Sequence, residues 1–430
     1  MSGGSTAALD RGRSWVAESD ARLLLVISAG LYALFTGFSV LLGLDLNGTI
    51  STLERITFFS SVYAMLVLAL NLQWGYAGLF NIGVAGFMAI GVYTMAVLSR
   101  GVAESPPGLG LPLPVGILGG TVAAGLFGAL VALPAIRLRA DYLAIVTLAF
   151  AEIIRTLALS RALDGFSVAG AELGLGGRTG MSAPPDPVRH LLYAEPGNLV
   201  SPRSAAGDWY FSTAASVGIR DTVAESVVYA VLLLAVVAVF YVLLVRIAKS
   251  PFGRVLKAIR EDEVVAGALG KDVRRFKIKA FALGAALMGL GAMLWFMKRG
   301  GVAPSNFEPE QTFFIFVALI IGGSGSDTGS VIGGIVFATL LFEGPLFVRR
   351  IVDQRMDVGT APQTIFEAFG STDQLLAYVF ADVNLSALRV VLLGVVLTYL
   401  IQRRPEGLLG DRKEIASSID LEERPGGDEP

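Results

Sequence analysis

The sequence predicts an all-α, polytopic helical membrane protein with about ten transmembrane segments. Of its 430 residues, 54% are hydrophobic and only 16% are charged. The mean hydropathy is +0.66, which is too apolar for a soluble chain of this length. The apolar residues also form runs of about 20, the length at which a helix crosses a bilayer. The charged residues gather between these runs, as the connectors of a membrane protein require.

The spans can be assigned in order along the chain. The first follows Arg22, and its apolar run is longer than that of a cleaved signal peptide and lacks a small-residue cleavage site, so we predict that it is retained. The runs that qualify as single spans are roughly 23–44, 53–72, 82–99, 113–136, 142–160, 225–246, 277–297 and 387–402.

A bipartite stretch at 311–343 lies between the last two spans. Its halves meet at a polar, glycine-rich break from Ser324 to Thr328. Non-helical backbone at membrane depth survives only when it is buried in protein or lines a wet cavity. We therefore predict two short spans joined by a tight turn, which brings the number of crossings to ten.

Charge orients the chain in the membrane. The predicted inner segments hold more than half of the 34 Lys and Arg residues, so the positive-inside rule predicts that both termini are cytoplasmic. We expect the chain to lie in the cell membrane. We predict a cytoplasmic N-terminal segment at 1–22 and a transmembrane domain at 23–410. Its connectors are a cytoplasmic region at 247–276 and two external loops rich in Gly, Pro and Asp at 161–224 and 344–386; the tail at 411–430 is predicted to be disordered.

The cytoplasmic region carries signals for two short helices. Ser250 and Pro251 are typical of an N-cap followed by a first helical residue. Glu261 and Asp262 are suited to open a second helix, and Gly270 is placed to end it. A short helix held just below a membrane domain is a feature that a soluble partner can grip.

Several kinds of chemistry are excluded or disfavoured. The net charge of −2 gives no basic surface for nucleic acid, and the absence of cysteine excludes disulfides and thiolate metal sites. The single histidine, His190, lies in a Gly- and Pro-rich loop where a surface role is the simpler interpretation. Gly270-Lys271 is not part of a phosphate-binding loop, and no hydrolase motif occurs. We expect no catalytic residues, no metal and no cofactor; energy must come from an ion gradient or a separate ATPase.

Five motifs in fixed order resemble the LivM-type permease of branched-chain amino-acid ABC importers. Together they extend over residues 60–410, and this order makes the resemblance specific. The motifs are LNLQWGYAGLFNIGVAGFMAIGVYTMAVL (70–98), LPAIRLRADYLAIVTLAFAEIIRTL (133–157), GRVLKAIREDEVVAGALGKDVRRFKIKAFALGAALMGLGAML (253–294), GGSGSDTGSVIGGIV (322–336) and RRPEGLLG (403–410).

The resemblance implies a transport subunit rather than an enzyme, and it implies partners. These are a second, LivH-like permease, two ABC ATPase subunits and an extracytoplasmic amino-acid binding protein. It also implies that the charged block contains a coupling helix that docks on the ATPase and moves the membrane domain by alternating access. The coupling residues would be Arg260, Glu261, Asp262, Glu263, Ala268 and Gly270.

Two departures from the family pattern leave the substrate open. After Gly78 the family usually continues Gln-Leu-Ser-Leu-Gly-His-Ala, whereas here Leu79 to Ala85 reads LFNIGVA. The stretches 182–224 and 352–384 are also longer than usual. A urea or short-chain amide importer is therefore the nearest alternative. An ion-coupled secondary transporter would need an acidic residue at the membrane midplane without a basic partner, and a non-transporting scaffold would explain neither polar break.

Polar residues near the GYAG motif at 75–78 are candidates for the substrate path. Glycines permit both a break in the helix and the close approach of a ligand. The simpler alternative is hydrogen bonding between helices. On the path interpretation, a cavity walled by Phe80 and Phe87 would face the second permease and be lined by Asn71, Gln73, Tyr76 and Asn81.

Two further polar features have structural interpretations. Glu152 and Arg155 are three apart on one helix, so a structural ion pair is favoured over a proton relay. Asp327, in the turn between the two short spans, is expected to cap a helix. The spacings Gly116–Gly120 and Gly329–Gly333 predict close helix packing.

Overall fold

The fold is seen in a computed structural model, and almost all of its regular structure is helical. The structure describes residues 4–135, 138, 140–168, 170–195, 197, 201–355, 364–379, 390–391, 394–399, 402–403 and 407–409. The helices are α1 (Gly4–Leu41), α2 (Leu46–Leu70), α3 (Val84–Ser99), α4 (Leu113–Ala135), α5 (Ala140–Leu159), α6 (Pro187–Leu192), α7 (Ala205–Ser216), α8 (Asp221–Lys249), α9 (Pro251–Glu261), α10 (Glu263–Ala268), α11 (Val273–Arg299), α12 (Pro309–Gly322), α13 (Asp327–Ala338), α14 (Gly344–Arg355), α15 (Ile365–Ala368) and α16 (Thr372–Val379).

The all-α membrane fold predicted from the sequence is confirmed. Among the described residues, seven helical segments are long and apolar enough to cross a membrane. The shorter helices α3 and α12 occupy the other predicted spans before residue 343. The last predicted span, 387–402, lies partly outside the described residues, of which 390–391 and 394–399 are helical. The predicted disordered tail lies wholly outside them.

One predicted boundary differs from the structure. α13 does not end near residue 343 but continues through a π-helical turn, Thr339–Glu343, directly into α14. The helix therefore runs on past residue 344, where the external loop was expected to begin. Gly344-Pro345 suggests a helix end in the sequence, but Pro345 lies in the first turn after the π-helical segment. Proline inside a helix removes one backbone hydrogen bond, and here it follows a π-helical turn, where the regular hydrogen-bond ladder is already interrupted.

The core forms around α2, whose residues from Ser60 to Leu70 are almost completely buried. A second seam joins α3, α4 and α11 through small residues. A Cβ atom added at Gly91 would lie 2.7 Å from the Cα of Gly289, and one added at Gly120 would lie 2.5 Å from the carbonyl oxygen of Gly91. Backbones that approach this closely pack without side chains between them, as small-residue interfaces in membranes do. The close packing predicted at Gly120 is thus confirmed.

The predicted hairpin of α12 and α13 is packed in the same way. A Cβ atom at Gly333 would lie 2.1 Å from the carbonyl oxygen of Ala318, and one at Gly329 would lie 2.5 Å from that of Gly322. The two helices are joined by the turn 323–326, in which Gly323 has a φ of +103°. Only glycine adopts that conformation without strain. The break predicted at 324–328 is therefore a tight turn between two packed helices.

The connectors segregate to two ends of the bundle. One end, called here the coupling end, holds the segment 77–83, helices α9 and α10, the turn 323–326 and residues 407–409. The chain returns to this end at 407–409, where the backbone N–H groups of Leu408 and Leu409 donate to the carbonyls of Ile321 and Gly322 at 2.8 and 2.9 Å.

The opposite end, called here the loop end, holds 100–112, 160–220 and 300–308. Its small strands are β1 (Phe166–Val168), β2 (Ala171–Leu173), β3 (Met181–Ser182) and β4 (Gly301–Val302). β1 and β2 form an antiparallel hairpin. β3 pairs with β4 through Met181 opposite Val302, which ties the long loop to the turn after α11.

Candidate functional site

The helix α2 breaks at the predicted glycines. Its α-helical part ends at Leu70, and the chain continues as a π-helical segment, Asn71–Tyr76, before the non-helical stretch that leads to α3. Gly78 has a φ of +67°. π-helical turns leave the regular hydrogen-bond ladder and occur often at functional positions. A broken span at 75–78 is thus part of the fold.

The amide side chains beside this break bind one another. Asn81 donates through its Nδ2 to the Oε1 of Gln73 at 2.7 Å, and Gln73 donates through its Nε2 to the carbonyl of Phe281 at 2.7 Å. The Oδ1 of Asn81 also accepts from the N–H of Gly83 at 2.8 Å. Three of the four path candidates are fully buried, and Tyr76 is 4% exposed. In this conformation the amide side chains bind one another and backbone groups in the interior of the subunit, which is the arrangement expected for interhelical hydrogen bonding.

The third amide, that of Asn71, ties the break to the turn between α12 and α13. Asn71 accepts at its Oδ1 from the N–H of Gly325 at 2.8 Å and donates to the Oδ1 of Asp327 at 3.2 Å. Asp327 was predicted to cap a helix, and this is wrong. The N-cap is Ser326, whose hydroxyl accepts from the N–H of Gly329 at 3.0 Å, whereas Asp327 is the first helical residue and is buried. A cap requires extended backbone, and that conformation falls one residue earlier.

Two hydroxyls complete the start of α3. Thr147 of α5 accepts from the N–H of Ile82 at 3.0 Å, and Thr312 of α12 accepts from the N–H of Ala85 at 3.1 Å. Both threonines are fully buried. The first N–H groups of a helix have no partner within the helix, so an interior helix start needs acceptors of this kind. The sequence gives no signal for these pairings because the partners are more than 60 residues apart.

The cytoplasmic region folds into the two short helices that the sequence predicted. Ser250 caps α9 by accepting from the N–H of Gly253, and Pro251 is its first residue. Asp262 caps α10 by accepting from the N–H groups of Val264 and Val265 at 2.8 and 3.0 Å. Gly270, with a φ of +77°, follows the end of α10 at Ala268. Glu261 is the last residue of α9 rather than part of the second helix.

Helix α9 lies directly on the broken span. The Nη1 of Arg260 donates to the carbonyl of Gly75. The Nζ of Lys257 lies 5.6 Å from the centre of the Tyr76 ring, a cation–π distance. The Arg260 stem also packs beside Gly78, whose φ of +67° is the feature that favours glycine at this position. Two predicted sites, the GYAG segment and the cytoplasmic block, are therefore one site, which the sequence did not indicate.

Helix α10 presents an apolar surface away from the protein. Its side chains Val264, Val265 and Leu269 are 80%, 54% and 73% exposed, whereas Ala266 is buried against the protein. The helix is anchored by the ion pair between Glu263 and Lys277 at 2.5 Å. These residues lie at the charged coupling end, outside the apolar spans, so lipid does not account for their exposure. Contiguous apolar side chains in such a position mark an interaction surface.

The ion pair predicted within α5 is present but is not buried. Arg155 Nη2 lies 2.5 Å from Glu152 Oε1, and Arg155 Nε donates to Glu152 Oε2 at 2.9 Å. The Glu152 side chain is 42% exposed and that of Arg155 is 23% exposed. The pair thus lies on the outward face of a membrane-spanning helix. Sequence spacing predicted the pairing and could not predict the direction in which it faces.

A second ion pair in the membrane was missed. Glu343, in the π-helical turn after α13, is 1% exposed and lies 2.6 Å from the Nε of Arg55 in α2. The signal in the sequence is an acidic residue at the end of the apolar run ATLLFEG, which was not distinguished from a loop residue. The described residues contain no group of three His, Asp or Glu side chains placed to hold a metal ion.

Carboxyl groups at the loop end have shifted acidities. Burial alone would raise the pKa of Glu104, but hydrogen bonds from the N–H of Gly101, the hydroxyl of Ser182 and the guanidinium of Arg100 hold it below its usual range. Burial raises the pKa of Asp186, which caps α6. These groups fix the loops on the bundle.

Known protein families and related sequences both point to branched-chain amino acid transport permeases. Residues 52–342 match the family described as branched-chain amino acid transport system / permease component. The chain is 35% identical over 284 residues to the high-affinity branched-chain amino acid transport system permease protein LivM of Escherichia coli K12, which covers 65% of this chain and 61% of that protein. It is 25% identical over 313 residues to a probable LivM permease of Methanocaldococcus jannaschii, covering 66% and 79%.

A more distant relative is the LivH permease of Salmonella typhimurium, 29% identical over 131 residues, which covers 30% of this chain and 41% of LivH. No solved structure matches. The match with LivM of E. coli extends over less than two thirds of that protein's length. The family match nevertheless includes the broken span, the pair in α5, the coupling region and the α12–α13 hairpin. The chain is a multi-pass membrane protein that belongs to the family of branched-chain amino acid transport system permease components.

Proposed function

We propose that this chain is the membrane-spanning permease subunit of an ABC importer that moves branched-chain amino acids across the cell membrane. It performs no covalent chemistry. A second, LivH-like permease completes the path, two ABC ATPase subunits hydrolyse ATP, and an extracytoplasmic binding protein delivers the amino acid. Both termini and the coupling end lie in the cytoplasm.

The observation that carries the proposal is the contact between α9 and the broken span. Arg260 donates a hydrogen bond to the carbonyl of Gly75. A force applied to the short helices therefore reaches the interior of the bundle through this hydrogen bond. α10, with its exposed Val264, Val265 and Leu269, is the surface on which an ATPase would dock. Movement of the ATPase would then bias the bundle between outward-open and inward-open states.

The docking surface includes the residues predicted for coupling. Arg260, Asp262 and Glu263 position α9 and α10 by the contacts described above. Ala268 is exposed at the end of α10, and Gly270 turns the chain toward α11. The role of these residues in ATPase binding rests on their position and on the family resemblance.

Replacement of Ala268 by Arg tests the docking surface. A long charged side chain in a packed apolar groove would weaken docking, and a loss of about 1.4 kcal/mol already lowers the affinity tenfold. We expect leucine uptake by native cells carrying Ala268→Arg to fall about tenfold or more, with loss of the ATPase from the purified permease. The matched control is Ala206→Arg, an exposed alanine at the loop end. Unchanged uptake and ATPase recovery in Ala268→Arg would refute the proposal.

The path candidates Asn71, Gln73, Tyr76 and Asn81 require a further step. Because they are buried in this conformation, they can line a path only if the break at 77–83 opens during the transport cycle. We propose that it does so when α9 moves, since Arg260 is bonded to the last turn of the broken helix. Two glycines at 75 and 78 supply the freedom that such a movement needs.

A further inference from the structure

We infer that Glu152 and Arg155, on the outward face of α5, form a recognition site for the charged groups of an amino-acid zwitterion at the interface with the second permease. The inference rests on the function proposed above and adds the residues that would bind the substrate. It begins from the direction in which this ion pair faces.

α5 has two distinct faces. Its inner face packs on the bundle through Leu143, Ala144, Thr147, Ala151 and Ala158, all buried. The outward face carries exposed Tyr142, Ile145, Ile153 and Leu157, at 58%, 63%, 57% and 49% exposure. Glu152 lies on this second face, among the exposed apolar side chains.

Neighbouring spans show what a lipid-facing surface of this protein looks like. The exposed residues of α4 and of the middle of α8 are apolar, and neither 113–135 nor 227–245 contains a charged residue. A charge within the bilayer is energetically costly, so charged residues in spans face protein or water. The outward face of α5 is therefore a surface that protein or an aqueous path covers.

The pair lies within reach of the loop end. Seven residues separate Glu152 from the end of α5 at Leu159, which is about 10 Å of helix rise. A cavity of about 480 Å³ opens there, lined by Arg155, Leu159, Arg178 and Ser305. Glu308 lies close enough to Arg155 to interact with its charge. Arg155 thus connects the ion pair with a cavity at the end where an importer receives its substrate.

The chemistry of these groups matches a zwitterion. A guanidinium binds a carboxylate through two parallel hydrogen bonds, and a carboxylate binds an ammonium group. The Glu152–Arg155 ion pair occupies both groups in this conformation, and a zwitterion can replace it without leaving either charge unpaired. Leu159 and the exposed leucine and isoleucine side chains of α5 offer contacts to an aliphatic side chain. A neutral amide such as urea would leave both charges unsatisfied.

A charge swap separates recognition from structure. In Glu152→Arg/Arg155→Glu the ion pair persists with its polarity reversed. If the pair only stabilises α5, the swapped protein transports normally. If the pair binds a zwitterion, the reversed charges no longer match the substrate and transport is lost. We expect leucine uptake by native cells to fall about ten- to hundredfold in Glu152→Gln, in Arg155→Gln and in the swap, the loss from one charge-assisted hydrogen bond.

The matched control is the exchange Arg203→Asp/Asp221→Arg, which reverses an exposed pair at the loop end and should leave uptake unchanged. Amounts of assembled complex must equal those of the wild type. Normal uptake by the Glu152/Arg155 swap would overturn the inference, and so would a shifted pH optimum in Glu152→Gln, which indicates a proton relay. Failure of the wild type to take up leucine would instead contradict the proposed function.

A binding measurement guards against variants that fail to assemble. The chain has no cysteine, so Leu159→Cys places a single thiol in the cavity. In right-side-out membrane vesicles, leucine at millimolar concentration should slow the reaction of this thiol with a membrane-impermeant maleimide, whereas urea should not. Equal rates with and without leucine would also overturn the inference.

Discussion

At the scale of single residues, Asn81 shows how the interior of the protein restricts a polar group. Its side chain accepts from Gly83 and donates to Gln73, so in this conformation it is fully buried and both its oxygen and its nitrogen are used. A side chain in static packing stays in that state. A side chain that lines a substrate path must lose these hydrogen bonds and become accessible in another state of the transport cycle.

Cysteine at position 81 distinguishes these two situations. If the break opens, Asn81→Cys should react with a water-soluble thiol reagent at a rate that changes with the nucleotide bound to the ATPases. Ala285→Cys, a fully buried residue of α11, is the control that should stay unreactive. The same rate in every nucleotide state, or no reaction in any, would assign Asn81 to static packing and remove it from the path.

Residue identities were predictable where the determinant is local. The caps Ser250 and Asp262 and the pair Glu152–Arg155 depend on neighbours within four positions, and each was predicted. Partners distant in sequence were not: Glu343 pairs with Arg55 across 288 positions, and no local pattern specifies such a contact. The cap of α13 was assigned to Asp327, one position too late, because the position of a cap depends on backbone angles.

At the scale of elements, α9 connects α10, with its exposed apolar side chains, to the broken span. Leu256 and Ile259 face the bundle and are buried, so α9 is held as a packed helix rather than a loose loop. The rings of Phe252 and Phe276 stack at 5.4 Å and join it to α11. α9 is therefore rigid enough to transmit a displacement to the carbonyl of Gly75, to which Arg260 donates a hydrogen bond.

Removal of Arg260 should break this connection. In Arg260→Ala we expect ATP hydrolysis by the assembled transporter to continue while leucine uptake falls about tenfold, since a hydrogen bond to a charged group contributes about 1.5–3 kcal/mol. Arg254→Ala, on the same helix, is the matched control and should preserve both activities. Were uptake by Arg260→Ala to equal that of the wild type, the bond to Gly75 would have no part in coupling.

Element positions followed from apolar runs and breakers, whereas element ends did not always do so. The spans before residue 343 each coincide with a helix because 20 apolar residues have few alternatives in a bilayer. α14 extends beyond the predicted boundary because the π-helical turn Thr339–Glu343 carries the helix into Gly344-Pro345. Such turns depend on tertiary packing and leave no reliable sequence signal.

At the scale of the whole molecule, the two ends of the bundle differ in chemistry. The coupling end gathers Lys and Arg residues and the exposed apolar side chains of α10, while the loop end holds strands, caps and acidic groups of shifted pKa. This segregation is what the positive-inside rule predicts for a chain whose coupling end is cytoplasmic.

Single cysteines can establish this orientation. Val264→Cys in α10 should react with a membrane-impermeant maleimide only after cells are permeabilised, and Val217→Cys, 60% exposed at the loop end, should react in intact cells. Leu234→Cys, exposed in the middle of α8, should react in neither case because lipid covers it. Reaction of Val264→Cys in intact cells would reverse the proposed orientation.

The seam of α3, α4 and α11 has a mechanical consequence. Where Gly91 meets Gly289, backbone touches backbone, and there are no side chains whose rotamers could change to let one helix slide along the other. We therefore expect these three helices to move together as one unit. If Arg260 displaces Gly75, α3 cannot follow by sliding within the seam. The displacement is then concentrated in the few residues from Ala77 to Gly83, which act as a flexible hinge between rigid segments.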